Sequence, residues 1–170
     1  KSAIQILYCR QNSLEELPAT FKDMERLTLL DLAYNRISTI HPLGKNVELM
    51  QLYLDNNLLT SLPKDAAGYF CGYSGLETFS MRNNLLEEVP DIFDASSGIV
   101  IKSIDFSSNR IKGFEGDKEG TYRGVNVETF TLANNPELKE YPLAIAKSNS
   151  LVSYIILRAC GIERIPEGAF

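Results

Sequence analysis

Apolar and polar positions alternate along this chain in one recurring phrase, clearest in Leu49-Met50-Gln51-Leu52-Tyr53-Leu54-Asp55-Asn56-Asn57-Leu58-Leu59. Leucines at 49, 52, 54 and 59 with asparagine at 57 read L-x-x-L-x-L-x-x-N-x-L, and Leu62-Pro63 closes the phrase. The alternation in Leu52-Tyr53-Leu54 predicts a short β-strand with leucines on one face and Gln51, Tyr53 and Asp55 on the other. A lone strand of this kind cannot bury its apolar face. Copies stacked side by side can, as a parallel sheet over one continuous core.

The phrase occurs seven times in all. The first copy uses Ile4, Leu7, Cys9, Asn12 and Leu14, then Leu17-Pro18; the second uses Leu27, Leu30, Leu32, Asn35, Ile37 and Ile40, with Pro42 one place late. After the opening example, the fourth uses Leu76, Phe79, Met81, Asn84, Leu86 and Val89-Pro90. The fifth uses Ile101, Ile104, Phe106, Asn109 and Ile111, with Phe114 at the corner that proline takes elsewhere. The sixth runs Val127, Phe130, Leu132, Asn135, Leu138 and Tyr141-Pro142, and the seventh Val152, Ile155, Leu157, Cys160, Ile162 and Ile165-Pro166. Positions Asn12, Asn35, Asn57, Asn84, Asn109, Asn135 and Cys160 are 23, 22, 27, 25, 26 and 25 residues apart. Six of the seven prolines fall at one corner, where their fixed φ turns the chain away from the strand.

The spacing places repeats near 4–26, 27–48, 49–75, 76–100, 101–126, 127–151 and 152–170, all within one domain. The asparagine inside each turn is expected to form a structural ladder, its amide bonding backbone groups of adjacent repeats that would otherwise be buried unpaired. Phe21, Phe93, Ile145 and Phe170 follow the proline corner and are expected as anchors on the other side, with Phe70 in the longer third repeat. Short helical turns are expected at Ala19–Arg26 and Leu143–Ser148. Residues Gly113–Gly124, rich in glycine and charge, read as an irregular surface loop, and Tyr122 and Arg123 make it a second candidate contact element.

At 170 residues and 44% apolar composition the chain can bury a sizeable core. It has no apolar run of about 18 residues to span a membrane. Polar caps are absent at both ends of the array, so the chain is expected to be part of a longer solenoid. A net charge of −5, with no cluster of Lys and Arg, argues against nucleic acid as partner. The acidic pairs Glu15-Glu16 and Glu87-Glu88 read as solvated edges, since no calcium-loop spacing accompanies them. Cys9 and Cys160, six strands apart, stand about 29 Å from one another at about 4.8 Å per strand, too far for a disulfide. Both read as small buried groups, and Cys71 falls on the far side of the repeat.

No catalytic constellation stands out. His41, the one histidine, has no nucleophile placed beside it by the register, and the glycines at 113, 116, 120 and 124 lack a following Gly-Lys-Ser/Thr. The reading is non-catalytic, with no cofactor and no metal.

These motifs, carried by every repeat, resemble the leucine-rich-repeat proteins, and the Leu-x-x-Leu-Pro corner followed by Phe is similar to the typical bacterial and animal subtypes. Uneven repeat lengths resemble those of surface proteins of gut bacteria. The resemblance implies an α/β solenoid, a curved horseshoe of about seven repeats. Its parallel β-sheet lies on the concave face, with short helices, 3-10 turns and loops on the convex face. It also implies recognition of a protein or peptide on the concave sheet, at the exterior of a bacterium; a cytoplasmic location, a spacer role within a larger surface protein and carbohydrate binding are the alternatives. Register puts Tyr8, Asp31, Tyr53, Ser80, Asp105, Thr131 and Ile156 in one outward row, and Arg10, Ala33, Asp55, Arg82, Ser107, Ala133 and Arg158 in a second. Mixed tyrosines and charges are the composition of interface hot spots. Tyr8, Arg10, Asp31, Tyr34, Tyr53, Asp55 and Arg82 are therefore the candidate contact patch.

Overall fold

In a computed structural model, the structure describes residues 2–43, 48–62, 75–90, 100–115, 126–148 and 151–169. The anchors Phe70, Phe93 and Phe170, together with Cys71 and residues 116–124 of the glycine-rich segment, lie outside them. The strands in chain order are β1 (Ile6–Tyr8), β2 (Glu16–Leu17), β3 (Leu29–Asp31), β4 (Thr39–Ile40), β5 (Gln51–Tyr53) and β6 (Thr78–Ser80). They continue as β7 (Glu88–Val89), β8 (Val100–Asp105), β9 (Gly113–Phe114), β10 (Asn126–Thr131) and β11 (Tyr154–Ile156).

One strand from each repeat joins a seven-stranded, all-parallel sheet in the order β1-β3-β5-β6-β8-β10-β11. The register aligns Leu7, Leu30, Leu52, Phe79, Ile104, Phe130 and Ile155, the central apolar residue of each copy. The fold is the expected parallel-sheet solenoid of about seven repeats. Its stability is cooperative between neighbours: Leu30, Leu52, Phe79 and Ile104 are fully buried, while Leu7 and Ile155 on the outer strands are only partly so.

Towards the centre of the array Phe106 meets Phe79 edge-on with ring centroids 5.7 Å apart and Phe130 at 6.0 Å. Such edge-to-face pairs add to area burial because the positive ring edge meets a negative face.

Across the core from the main sheet, two small parallel ladders close the turn corners, β2 with β4 and β7 with β9. Phe114 aligns with Val89 there. It takes the corner position that an apolar residue before proline holds in the fourth repeat. Gly113 and Phe114 are therefore paired strand, correcting the loop reading at the start of the Gly113–Gly124 segment. The convex turn after Pro18 is a 3-10 helix, Ala19–Asp23, shorter than the Ala19–Arg26 turn that the pattern suggested. Leu143–Ser148 forms an α-helix, labelled α1, whose Ile145 is buried against the core.

The turn after each main strand is built twice over. The ladder asparagine makes three kinds of bond, as in Asn57. Its amide donates to Leu32 O of the preceding repeat at 3.0 Å and to Leu54 O of its own at 3.1 Å, and its oxygen accepts the Ile37 N–H at 2.9 Å. Asn35, Asn84, Asn109 and Asn135 repeat the arrangement. Asn12, in the first of the described turns, donates to Cys9 O and Arg10 O of its own repeat. Cys160 reaches back to Leu132 O through its thiol, 3.2 Å away. Cys9 and Cys160, which follow the first and last strands of the described sheet, are half-buried rather than buried.

The residue immediately before each ladder position takes positive φ: Gln11, Tyr34, Asn56, Asn83, Ser108, Asn134 and Ala159, all between 55° and 59°. None is glycine. The left-handed conformation swings these side chains outward at the C-terminal ends of the strands.

Candidate functional site

The outward row of the sheet is less uniform than strand alternation suggests. Tyr8 is 67% exposed on the edge repeat, but Asp31 is 7% exposed and Ser80 is also buried. In the second row Arg10 and Arg82 are exposed, whereas Ala33, Ser107 and Ala133 are buried. The chain is already curving into the turn there, so short side chains are covered and only long ones emerge.

The carboxylates of this face are held by backbone. Successive N–H groups of a strand point to opposite neighbours. Met81 and Asn83 donate to Asp105 O and Ser107 O of the following repeat, so the Arg82 N–H between them points back. Asp55 Oδ1 accepts it at 2.8 Å and also accepts the Ser80 hydroxyl. Asp31 accepts the Ala33 N–H at 2.9 Å, and Asp105 that of Ser107 at 2.7 Å. Burial pushes the Asp55 carboxyl above the ordinary carboxylate value, opposed by its bonds from Ser80 and the Arg82 N–H and reinforced by the charges of Asp105 and Asp31. Burial likewise raises the Tyr53 hydroxyl, with Asp31, Asp55 and Tyr8 adding to it.

Four of the candidate contact residues, each from a different one of the first four repeats, stand around one depression of about 410 Å³: Arg10, Tyr34, Asp55 and Arg82. Asn56, Asn83 and Ser108 complete its lining. Arg10 is prearranged, its guanidinium 4.8 Å from the centre of the Tyr34 ring and its Nη1 3.7 Å from Asp31 Oδ2. Asn83 donates to Asn56 Oδ1 at 2.6 Å, locking two amides across adjacent repeats. Tyr8, Asp31 and Tyr53 do not line the depression; Tyr53 donates its hydroxyl to Gln51 Oε1 at 3.4 Å, lower on the sheet.

Sequence reasoning passed over Asn56, Asn83 and Ser108 because they belong to neither strand row. A signal was present in the doubled asparagines at 56–57, 83–84 and 134–135. Asparagine tolerates left-handed φ better than most residues, so the first of each pair marks the outward-swung position.

Among the described residues, no group of three or more His, Cys, Asp or Glu side chains stands where it could hold a metal ion. Among them too, no helix is long and apolar enough to cross a membrane. His41 is exposed at its repeat corner.

Seven repeats on one parallel sheet and an asparagine in the turns of the first six define a repeat solenoid, a fold suited in general to protein interaction. Known proteins agree. No protein-family model matches the chain. Rat (Rattus norvegicus) lumican is 31% identical over 137 residues, 78% of this chain and 37% of lumican. A leucine-rich repeat protein from Bacteroides eggerthii superposes with a TM-score of 0.81 and 30% identity, over 98% of this chain and 28% of that one. Another from Bacteroides thetaiotaomicron gives 0.79 and 32%, over 97% of this chain and 20% of that one. The chain therefore spans little more than a third of the rat lumican that it matches, and less of the two bacterial proteins. It belongs to the leucine-rich-repeat proteins.

Proposed function

We propose that this chain is a non-catalytic module that binds a protein or peptide at the strand-end depression of its concave face. The observation that carries this reading is the convergence of Arg10, Tyr34, Asp55 and Arg82, from four successive repeats, on one depression. Interfaces draw their energy from a few aromatic and arginine anchors held in place before the partner arrives. Arg10 stacked on Tyr34, and Asn83 bonded to Asn56, are such prearranged groups. The reading narrows the contact patch to the strand ends and leaves Tyr53 and Asp31 as supports. Likeness to the two Bacteroides proteins supports a bacterial source, and we place the module outside the cell.

The test is capture from the surroundings of the source organism on immobilised chain, comparing wild type with a Tyr34→Ala/Arg82→Ala variant of equal circular dichroism. A partner held by wild type and lost by the variant is the expected result. Equal capture by both would remove the depression from the binding face.

A further inference from the structure

We propose that the depression recognises a carboxylate side chain of an acidic peptide segment, gripped by the guanidinium of Arg82 between the amides of Asn56 and Asn83. This deepens the binding reading above and rests on it.

The argument starts from which charges are already used. Of the two arginines around the depression, Arg10 has Asp31 beside it at 3.7 Å and the Tyr34 ring beneath it. Arg82 is exposed, and among the described residues no carboxylate stands within ion-pair distance of its guanidinium. The acid that could have neutralised it is Asp55, which lines the same depression. One oxygen of Asp55 is instead occupied by the Ser80 hydroxyl and by the backbone N–H of Arg82 itself. The carboxylate is thus turned to the main chain of Arg82 while the fork of five N–H donors is left uncompensated. A planar guanidinium in that state matches a carboxylate through two parallel bonds.

The neighbours favour the same chemistry. Asn83 spends one amide proton on Asn56 and keeps the other, while Asn56 keeps both of its own, so each can donate to an oxygen held by Arg82. The Ser108 hydroxyl adds a further donor at the rim. Asp55 Oδ1 is already used, and the free donors of Arg82, Asn56, Asn83 and Ser108 outnumber the acceptors left on Asp55 Oδ2 and Asn83 Oδ1. A cationic or purely apolar side chain would leave them unpaired. The occupant is a peptide because the lining runs across several repeats, along which an extended chain can continue. A uronic-acid sugar carries the same carboxylate and is the competing source.

The probe is the capped tripeptide acetyl-Gly-Glu-Gly-amide, titrated into isotopically labelled chain at low salt while side-chain NMR signals of Arg82, Asn56 and Asn83 are followed. Acetyl-Gly-Gln-Gly-amide and trigalacturonate serve as parallel arms. The expected result is saturable movement of those signals with the Glu peptide, weaker by about tenfold in an Arg82→Gln chain and with the Gln peptide. Raised salt should weaken it further, since the pair is exposed. Equal response to Glu and Gln, preference for trigalacturonate, an unaltered response in Arg82→Gln, or no movement at millimolar peptide would each overturn the proposal. Capture of a partner that depends on Tyr34 but tolerates Arg82→Gln would overturn it while leaving the binding module standing.

Discussion

The backbone N–H of Arg82 donates to the Asp55 carboxylate at 2.8 Å, so an acidic side chain of the third repeat closes a main-chain group of the fourth. Asp31 and Asp105 do the same for Ala33 and Ser107 within their own repeats. Acids on the concave face thus serve the strand ends before they serve any ligand, and this sorts the outward residues into supports and free groups.

A pH effect follows from Asp55. Its folded value is raised chiefly by burial, so the folded chain holds this proton more tightly than the unfolded chain, whose ordinary value is 3.8. The stabilisation linked to that proton is full below the ordinary value and is lost as pH rises through the raised one. Asp55→Asn keeps an oxygen for the Arg82 N–H and removes the titration. The melting temperature of wild type relative to Asp55→Asn should therefore climb as pH is lowered toward 3.8; a constant difference across that range would contradict the assignment.

The asparagine bonds predict a positional effect. Asn57→Ala leaves the buried Ile37 N–H unpaired and takes one of two amide donors from the Leu32 and Leu54 carbonyls, which keep Asn35 and Asn84, and should cost about 2 kcal/mol in urea unfolding. Asn12→Ala, in the exposed first turn, should cost under about 1 kcal/mol. Equal losses would show that the inter-repeat bonds carry no special weight.

Positive φ at the preceding position gives an opposite prediction. Ala159, exposed at φ 55°, gains nothing from its methyl group and bears the left-handed strain. Ala159→Gly should stabilise the chain by about 0.5–1 kcal/mol, read as a rise in melting temperature. Destabilisation would mean that glycine's freedom in the unfolded chain outweighs the relieved strain.

The aromatic centre of the core should dominate stability. Phe106 is fully buried and touches both Phe79 and Phe130, so Phe106→Ala removes two ring pairs and leaves a cavity. A loss of about 3–5 kcal/mol is expected from chemical unfolding, against about 1 kcal/mol for Phe106→Leu if the site closes around the smaller chain. A loss below about 2 kcal/mol for the alanine variant would show that neighbouring repeats collapse into the gap.

The repeat length, the strand positions and the core row were legible because each depends on a local rule. Alternation marks the strand, a leucine row demands a neighbour, and an asparagine at one offset marks the turn. The binding side was legible only in part. Arg10, Asp55 and Arg82 could be nominated from register and Tyr34 as one of the tyrosines, but Tyr53 and Asp31 stand away from the depression, and Asn56, Asn83 and Ser108, which share Tyr34's place before the ladder residue, were missed. Strand periodicity ends at the third residue, and beyond it direction is set by the left-handed residue of the turn.

What the sequence determined by itself is the solenoid: seven copies of one apolar phrase have no other way to bury their leucines than against one another. Tertiary structure decided which polar groups are spent and which are free. One oxygen of the Asp55 carboxylate is taken by a main-chain N–H a full repeat away, and among the described residues the Arg82 guanidinium has no carboxylate within ion-pair distance. That outcome depends on how adjacent turns stack, a relation between residues 27 positions apart that no local pattern encodes.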